Sequence, residues 1–401
     1  AQRISDHVVQ FRIDAKYAQF SNNLTLGILP KHLWQDIKPI NFSLSELNIK
    51  PIGSGPFRFK SLTKDNLGHI ISYKLEAYNQ SHLGRPKLNS IEFRFFDSED
   101  GIIDAFNAND IDNVGYISGN NINKLKFKSR INLEEINMPR YFSVFFNQSQ
   151  SKALSDKNVR LALNYATDRV DIINRTLNGK AFLVNSPMIG GILDINPNVG
   201  TYNYDPEQAA SILQASGWNI GTDGIRAKNK DNRLELTITT STWPELMTVA
   251  QAIKEQWEKI GAKVTLQTLP ISELQTVIKN RNYQTLLFGE ILPLDPDPFV
   301  LWHSSQKRDP GINLALYDNA TADKLLEEAR QTLNATERKQ KYDDFQRILL
   351  EDIPAVFLYS PKYLYGLSDD VQGFETSLIA VPSQRFTNIT NWYVDTQRIF
   401  R

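Results

Sequence analysis

Three acids, Glu290, Asp295 and Asp297, fall in one short stretch that ends at Pro298. A carboxylate there can pair with an ammonium group, an interaction that counts only when it is desolvated and well aligned. Asp beside Pro also caps or turns a loop, and both uses stay open. Other chemistry is poorly supplied. Cysteine is absent, which rules out disulfides, thiolate catalysis and thiolate metal sites. The five histidines, His7, His32, His69, His82 and His303, include no pair at helical i, i+4 spacing and no HExxH. A metal site built from them is not expected. There is no G-x-S-x-G, no phosphate loop and no dinucleotide fingerprint. The chain is therefore expected to be no enzyme and to need no cofactor or metal.

The elements that must hold the acids come next. Residues 283–290 read as a strand, which can offer backbone amides and carbonyls to an extended partner whatever its side chains. Two further strand-like runs cover residues 141–146 and 355–359, with Phe145, Phe146, Phe357 and Tyr359 in them. Trp243 and Trp302 fall near strand ends. Aromatics of this kind line apolar pockets of low specificity, although core packing is their commoner use. After a polar break at residues 147–150, one long helix is expected. Asp156 or Ser155 caps it, its apolar face runs Val159, Leu163, Ala166, Val170, Ile173, Leu177, and Gly179 supplies a left-handed C-cap. Arg160 and Asp168-Arg169 on this helix read as structural ion pairs or surface contacts. Asp205-Pro206 opens another helix, with Asp as cap and Pro where no amide proton is needed. Residues 234–240, 246–260 and 264–269 form a strand–helix–strand unit, hence a parallel strand pair.

Composition bounds the rest. The 401 residues are 41% hydrophobic and carry a formal net charge of zero. Two or three domains are expected from length, with no electrostatic case for nucleic acid. No stretch approaches the ~20 apolar residues that span a bilayer. The first residues, Ala1 to Asp6, do not resemble a secretion signal, so a processed form or a piece of a longer product is expected.

Several motifs agree in kind and order. The helix Asp156-Lys157-Asn158-Val159-Arg160-Leu161-Ala162-Leu163-Asn164-Tyr165-Ala166-Thr167-Asp168-Arg169 resembles the signature helix of extracellular solute-binding proteins of the peptide/nickel class, the receptors of ABC importers. Gly53-Ser54-Gly55-Pro56-Phe57 is similar to that family's Gly-Thr-Gly-Pro-Tyr loop. Tyr204-Asp205-Pro206 through Gly217-Trp218, residues 257–264, and Asp295-Pro296-Asp297-Pro298 resemble three more of its motifs. The resemblance runs from about Val8 to the C-terminus. Family members carry an N-terminal portion ahead of that point, so a fragment, or a protein completed by a separate chain, is expected.

The resemblance implies an α/β, two-lobe fold of the type II periplasmic-binding-protein kind, with mixed sheets and a two-strand hinge. Lobe one would comprise residues 1–146 with 362–401. Lobe two, residues 147–361, would be inserted between the crossover strands. Peptide receptors of the family hold the ligand's amino terminus with an Asp four positions before a Pro. Here Leu294 stands four before Pro298, and Asp295 is the nearest acid. The ligand-facing residues expected are Phe145, Asn147, Phe288, Gly289, Glu290, Asp295, Trp302 and Tyr359. The implied function is capture of an oligopeptide or similarly extended polar solute and delivery to a membrane permease. The receptor would act as a monomer in the periplasm or on the extracellular face of the bacterial cytoplasmic membrane. Receptors for a metal chelate or an oligosaccharide, and a signalling or adhesion protein on the same fold, are the alternatives.

Overall fold

The computed structural model describes residues 1–126, 128–189 and 200–394. By internal contacts the chain forms two units. One comprises Ala1–Thr25 with Pro139–Pro361, the other Leu26–Met138 with Lys362–Arg401. The sequence expectation drew its first boundary after residue 146. The contact boundary falls ahead of Pro139 because the strand Arg140–Phe146 is hydrogen-bonded on both edges within the first unit. Residues 1–25 join that unit too. Gln19 donates to the Pro296 carbonyl at 3.2 Å and to the Tyr342 hydroxyl at 3.0 Å.

The first unit is built on a six-stranded mixed sheet. Its strands are β1 (Arg140–Phe146), β2 (Ala181–Leu183), β3 (Glu235–Ser241), β4 (Lys263–Leu269), β5 (Thr285–Ile291) and β6 (Ala355–Pro361), in the order β4-β3-β5-β1-β6-β2. β3 runs parallel to β4 and β5. β1 runs antiparallel to β5 and β6. Side chains alternate between the two faces of a strand, and β1 carries large apolar residues on both, with Arg140 and Ser143 its polar positions, because both its faces are covered. Phe142, Val144 and Phe146 enter the core shared with the helices Lys157–Tyr165, Arg169–Leu177, Pro206–Ala215 and Pro244–Lys259. Tyr141 and Phe145 enter the opposite core, shared with Ile271–Lys279, Ala320–Gln331 and Ala335–Asp352.

The expected long helix is two helices. Thr167 Oγ1 donates back to the Leu163 carbonyl at 2.7 Å, and Asp168 caps a new helix by accepting from the Asp171 amide at 2.9 Å. A side chain that satisfies the backbone locally competes with helix continuation. The break turns Val170 to solvent, 55% exposed, and Ile172 is buried instead. Asp156 does cap the first helix, and Asn178 (φ 50°) precedes Gly179 (φ 76°) in the left-handed exit. Asp205 caps the Pro206 helix as expected, accepting from the Gln208 amide at 2.8 Å.

Arg160 and Arg169 are used differently from the ion pairs or surface contacts expected of them: both are buried and bind carbonyls. Arg160 donates to the carbonyls of Ile353, Leu154, Ser155 and Asp352 at 2.9, 2.8, 3.3 and 2.9 Å. Arg169 donates to the Phe357 and Tyr202 carbonyls at 2.6 Å each and to Asn164 Oδ1 at 3.0 Å. Each guanidinium fork fastens carbonyls of distant segments, a task its planar geometry suits.

The second unit holds a three-stranded antiparallel sheet, Phe57–Lys64, Ile70–Ala77 and Ser90–Arg94, and an antiparallel pair, Ile131–Ile136 with Tyr363–Ser368. Its core gathers Ile136, Tyr363, Tyr365, Ile379 and Trp392. Among the described residues no helix is long and apolar enough to cross a membrane.

Candidate functional site

The topology of the first unit brings three chain segments to one edge of its sheet. β3 and β5 run parallel, so their C-terminal ends, at Ser241 and Ile291, point the same way. β1 is antiparallel to β5 in the register Ile291↔Arg140 and Glu290↔Tyr141, which puts its start beside those ends. The outer ends of parallel strands, where connections diverge, are where α/β sheets leave crevices. A cavity of about 630 Å³ opens there, within the size range of small-molecule and peptide-fragment sites. β1 supplies Arg140, Tyr141 and Phe142, and the turn after β3 supplies Ser241, Thr242 and Trp243. Leu246, Pro270 and Ile271 come from the helix starts, and Phe288, Gly289, Glu290 and Ile291 from β5.

Its walls are mainly apolar, and the aromatic wall is a stack. Phe142 lies 5.2 Å from the Tyr359 ring and 6.0 Å from Trp243, ring centre to ring centre. Trp243 remains 43% exposed. Gly289 lets the backbone of β5 approach this stack, because a Cβ there would stand 2.7 Å from the Phe142 ring. Gly289→Ala should therefore push the ring against Tyr359 and lower stability by about 1–3 kcal/mol. Thermal denaturation measures it, and an unchanged midpoint would mean that the ring has room.

The β5 backbone is open along the cavity. β3 pairs with β5 only at Ile238↔Thr285 and Thr239↔Leu286, then continues against β4 alone as far as Ser241↔Leu269. Thr240 Oγ1 takes the Leu287 carbonyl at 2.9 Å. From Phe288 onward the β3-side edge of β5 has no strand partner among the described residues, so its main-chain groups can take one.

Glu290 is the acid that belongs to this cavity. It is 5% exposed. The Tyr141 hydroxyl donates to its Oε2 and in turn accepts from Trp302 Nε1 at 3.2 Å. Glu290 Oε1 has no hydrogen-bond partner. Burial pushes the Glu290 carboxyl up to about 8, against the lowering effect of the Tyr141 hydrogen bond. Burial, reinforced by Glu290, also drives the Tyr141 hydroxyl well above its ordinary range, so Tyr141 stays a donor. Arg140 acts instead on Glu245, lowering a carboxyl that burial raises and to which Tyr359 donates at 3.0 Å.

Of the eight ligand-facing residues expected from the sequence, Phe288, Gly289 and Glu290 line this cavity and five lie elsewhere. Phe145 is fully buried against Trp302, which is itself enclosed by Phe145, Tyr317 and Phe357. Asn147 is buried; its amide donates to the Arg281 carbonyl at 2.9 Å and its oxygen accepts from Ser149. Tyr359 sits one layer behind the wall, stacked on Phe142. Asp295 pairs with Arg338 at 3.2 Å, and Asp297 accepts a fork from Arg330 at 2.7–3.0 Å plus the Phe299 amide. Both acids are thus neutralised by arginines and hold their loop. Trp243, one of the aromatics expected near strand ends, does line the cavity, whereas Arg140, Tyr141, Phe142, Ser241 and Thr242 are cavity residues that the sequence did not single out. The end of a parallel strand is the one signal that could have located the turn at Ser241–Trp243.

Among the described residues no three His, Asp or Glu side chains lie close enough to hold a metal ion. A second cavity, beside Arg169 and Tyr202, has room for about 10 Å³, one water at most.

A family model described as bacterial extracellular solute-binding proteins, family 5 Middle, matches residues 1–311. The oligopeptide-binding protein AppA of Bacillus subtilis is 29% identical over 409 aligned positions, covering 98% of this chain and 72% of that protein. Its structure in complex with a nonapeptide superposes with a TM-score of 0.71 at 26% identity, over 96% of this chain and 76% of that one. NikZ from Campylobacter jejuni in complex with Ni(L-His) gives a TM-score of 0.74 at 27% identity, over 94% and 75%.

Proposed function

Because the chain belongs to the bacterial extracellular solute-binding proteins, family 5, we propose that it is the oligopeptide receptor of an ABC importer and that the cavity beside β5 takes part of the peptide. The fold is the type II binding-protein fold, and the family binds solutes rather than transforming them. The observation that carries the ligand reading is the open edge of β5 along an apolar cavity. An extended peptide adds to that edge through main-chain hydrogen bonds, and the aromatic wall accepts side chains with little discrimination. The relative that binds a nonapeptide supports the same class of ligand. A compact chelate or an oligosaccharide would meet few polar groups here, chiefly Arg140, Ser241, Thr242 and Glu290. The two units act as the lobes, with β1 and β6 as the crossover strands between them. Loaded receptor then delivers its peptide to a membrane permease, acting as a monomer on the outer face of the cytoplasmic membrane or in the periplasm.

Thermal melting against panels of peptides, oligosaccharides and nickel chelates tests this. Peptides should raise the midpoint, since a ligand at a hundredfold excess over its Kd stabilises by about 2.7 kcal/mol. Trp243→Ala should weaken the same peptides about tenfold, the loss of one half-exposed indole contact. A response confined to chelates or sugars would overturn the reading.

A further inference from the structure

We propose that the cavity contains a subsite for a basic side chain, lysine- or arginine-like, which binds by taking the place of a proton on Glu290. The proposal rests on the peptide reading above. Three observations meet at one point. Glu290 is a cavity residue with a nine-tenths-buried carboxyl, and its Oε1 has no partner. Its other oxygen accepts from Tyr141, which accepts from Trp302, so two successive donors are aimed at the carboxylate from behind. That relay favours an anion, yet no cation is paired with it among the described residues. The titratable groups acting with Glu290 are Tyr141 on β1 and Tyr283 ahead of β5. Both are held neutral by burial. The nearest cation along β1, Arg140, acts on Glu245.

An uncompensated buried carboxylate is costly, and the group keeps its proton instead. A cationic donor reaching Oε1 removes that cost. The wall on the Glu290 face suits the rest of such a ligand: Phe288, two residues before the acid on the same strand face, and Ile271 can pack an aliphatic stem while its head meets the acid. The exchange balances: the proton leaves Glu290 for solvent, and the ligand's ammonium or guanidinium replaces its charge. With the carboxyl titrating at about 8, Glu290 is about 90% protonated at pH 7 and about 10% at pH 9. Affinity for a basic side chain should then rise about tenfold per pH unit below 8 and level off above it.

The whole chain is titrated calorimetrically with Ala-Lys-Ala, Ala-Arg-Ala and Ala-norleucine-Ala, at pH 7 and pH 9, in two buffers of different ionisation enthalpy. Basic peptides should bind at least tenfold tighter than the norleucine peptide at pH 9. At pH 7 they should release about 0.9 proton per peptide bound, and the norleucine peptide none. Glu290→Gln should bind all three within about twofold of one another and release no proton. Tyr141→Phe, which leaves the acid in place, should retain the preference and move its midpoint to higher pH. Binding of the norleucine peptide without any preference or proton release overturns this proposal and leaves the peptide reading standing. Failure of all three peptides to bind overturns both.

Discussion

Replacing Arg160 by methionine is expected to lower the unfolding free energy by about 3–5 kcal/mol, more than any single exposed substitution in the chain. The guanidinium donates to four carbonyls, two from residues 154–155 and two from residues 352–353. Those carbonyls end the helices Lys152–Ser155 and Ala335–Asp352, where no intrahelical amide remains to satisfy them. The cation also sits favourably at two helix C-termini. Methionine fills much of the space and leaves the carbonyls buried and unpaired. Lysine should not rescue, because one ammonium cannot reach both ends in a fork. Arg175→Met is the control. That residue makes exposed pairs with Asp171 and Glu255, and its loss should cost under about 1 kcal/mol. Urea unfolding followed by tryptophan fluorescence measures both, since Trp218 and Trp257 lie in the core nearest the change. A loss below about 1 kcal/mol for Arg160→Met would refute the capping role.

The second large effect is a pH dependence. In the folded chain Glu290 holds its proton to about 8, against an ordinary 4.5 once unfolded. Between those values the folded state binds a proton that the unfolded state has released, so stability falls as pH rises through the window. Below 4.5 both states are protonated and the contribution is intact. Each pH unit inside the window removes about 1.4 kcal/mol. Glu290→Gln cannot ionise, so its stability curve should lose that slope and cross above the parent at alkaline pH. Glu245 is also raised, but it is common to both proteins and cancels in the comparison. Parallel curves from pH 5 to pH 8 would sink the argument.

The sequence made the sheet readable where the signals are local. β1 is a run of large apolar residues, the β3–helix–β4 unit alternates and then steps at helical period, and Asp205-Pro206 announces a helix start. It also carried the family, because several motifs recur in order. What it hid is set by partners distant in the chain. Nothing near Asp295 or Asp297 signals that Arg338 and Arg330, some forty and thirty residues on, will neutralise them. Trp302 and Trp243 look alike in sequence, yet one is fully enclosed and the other half open. The site itself depends on register. Only the alignment of β1 against β5 sets Tyr141 opposite Glu290, and a slip of one residue would turn both to the other face. The helix break at Thr167 escaped notice because its apolar spacing continues through it.

The chain enters this unit on the same sheet edge as the cavity. Leu292, next after β5, donates its amide to the Pro139 carbonyl at 2.7 Å, and Pro139 is the first residue after the chain enters this unit. Tyr359 of β6, two positions before the exit at Pro361, stacks behind Phe142, which lines the cavity. The main chain at Gly289–Ile291 thus lies one hydrogen bond from the entry peptide, and the Phe142 ring one contact from the exit strand. A spectroscopic label at residue 139 should therefore report occupancy of a cavity that it does not line, and an unchanged signal on peptide addition would mean that β5 and residue 139 move independently.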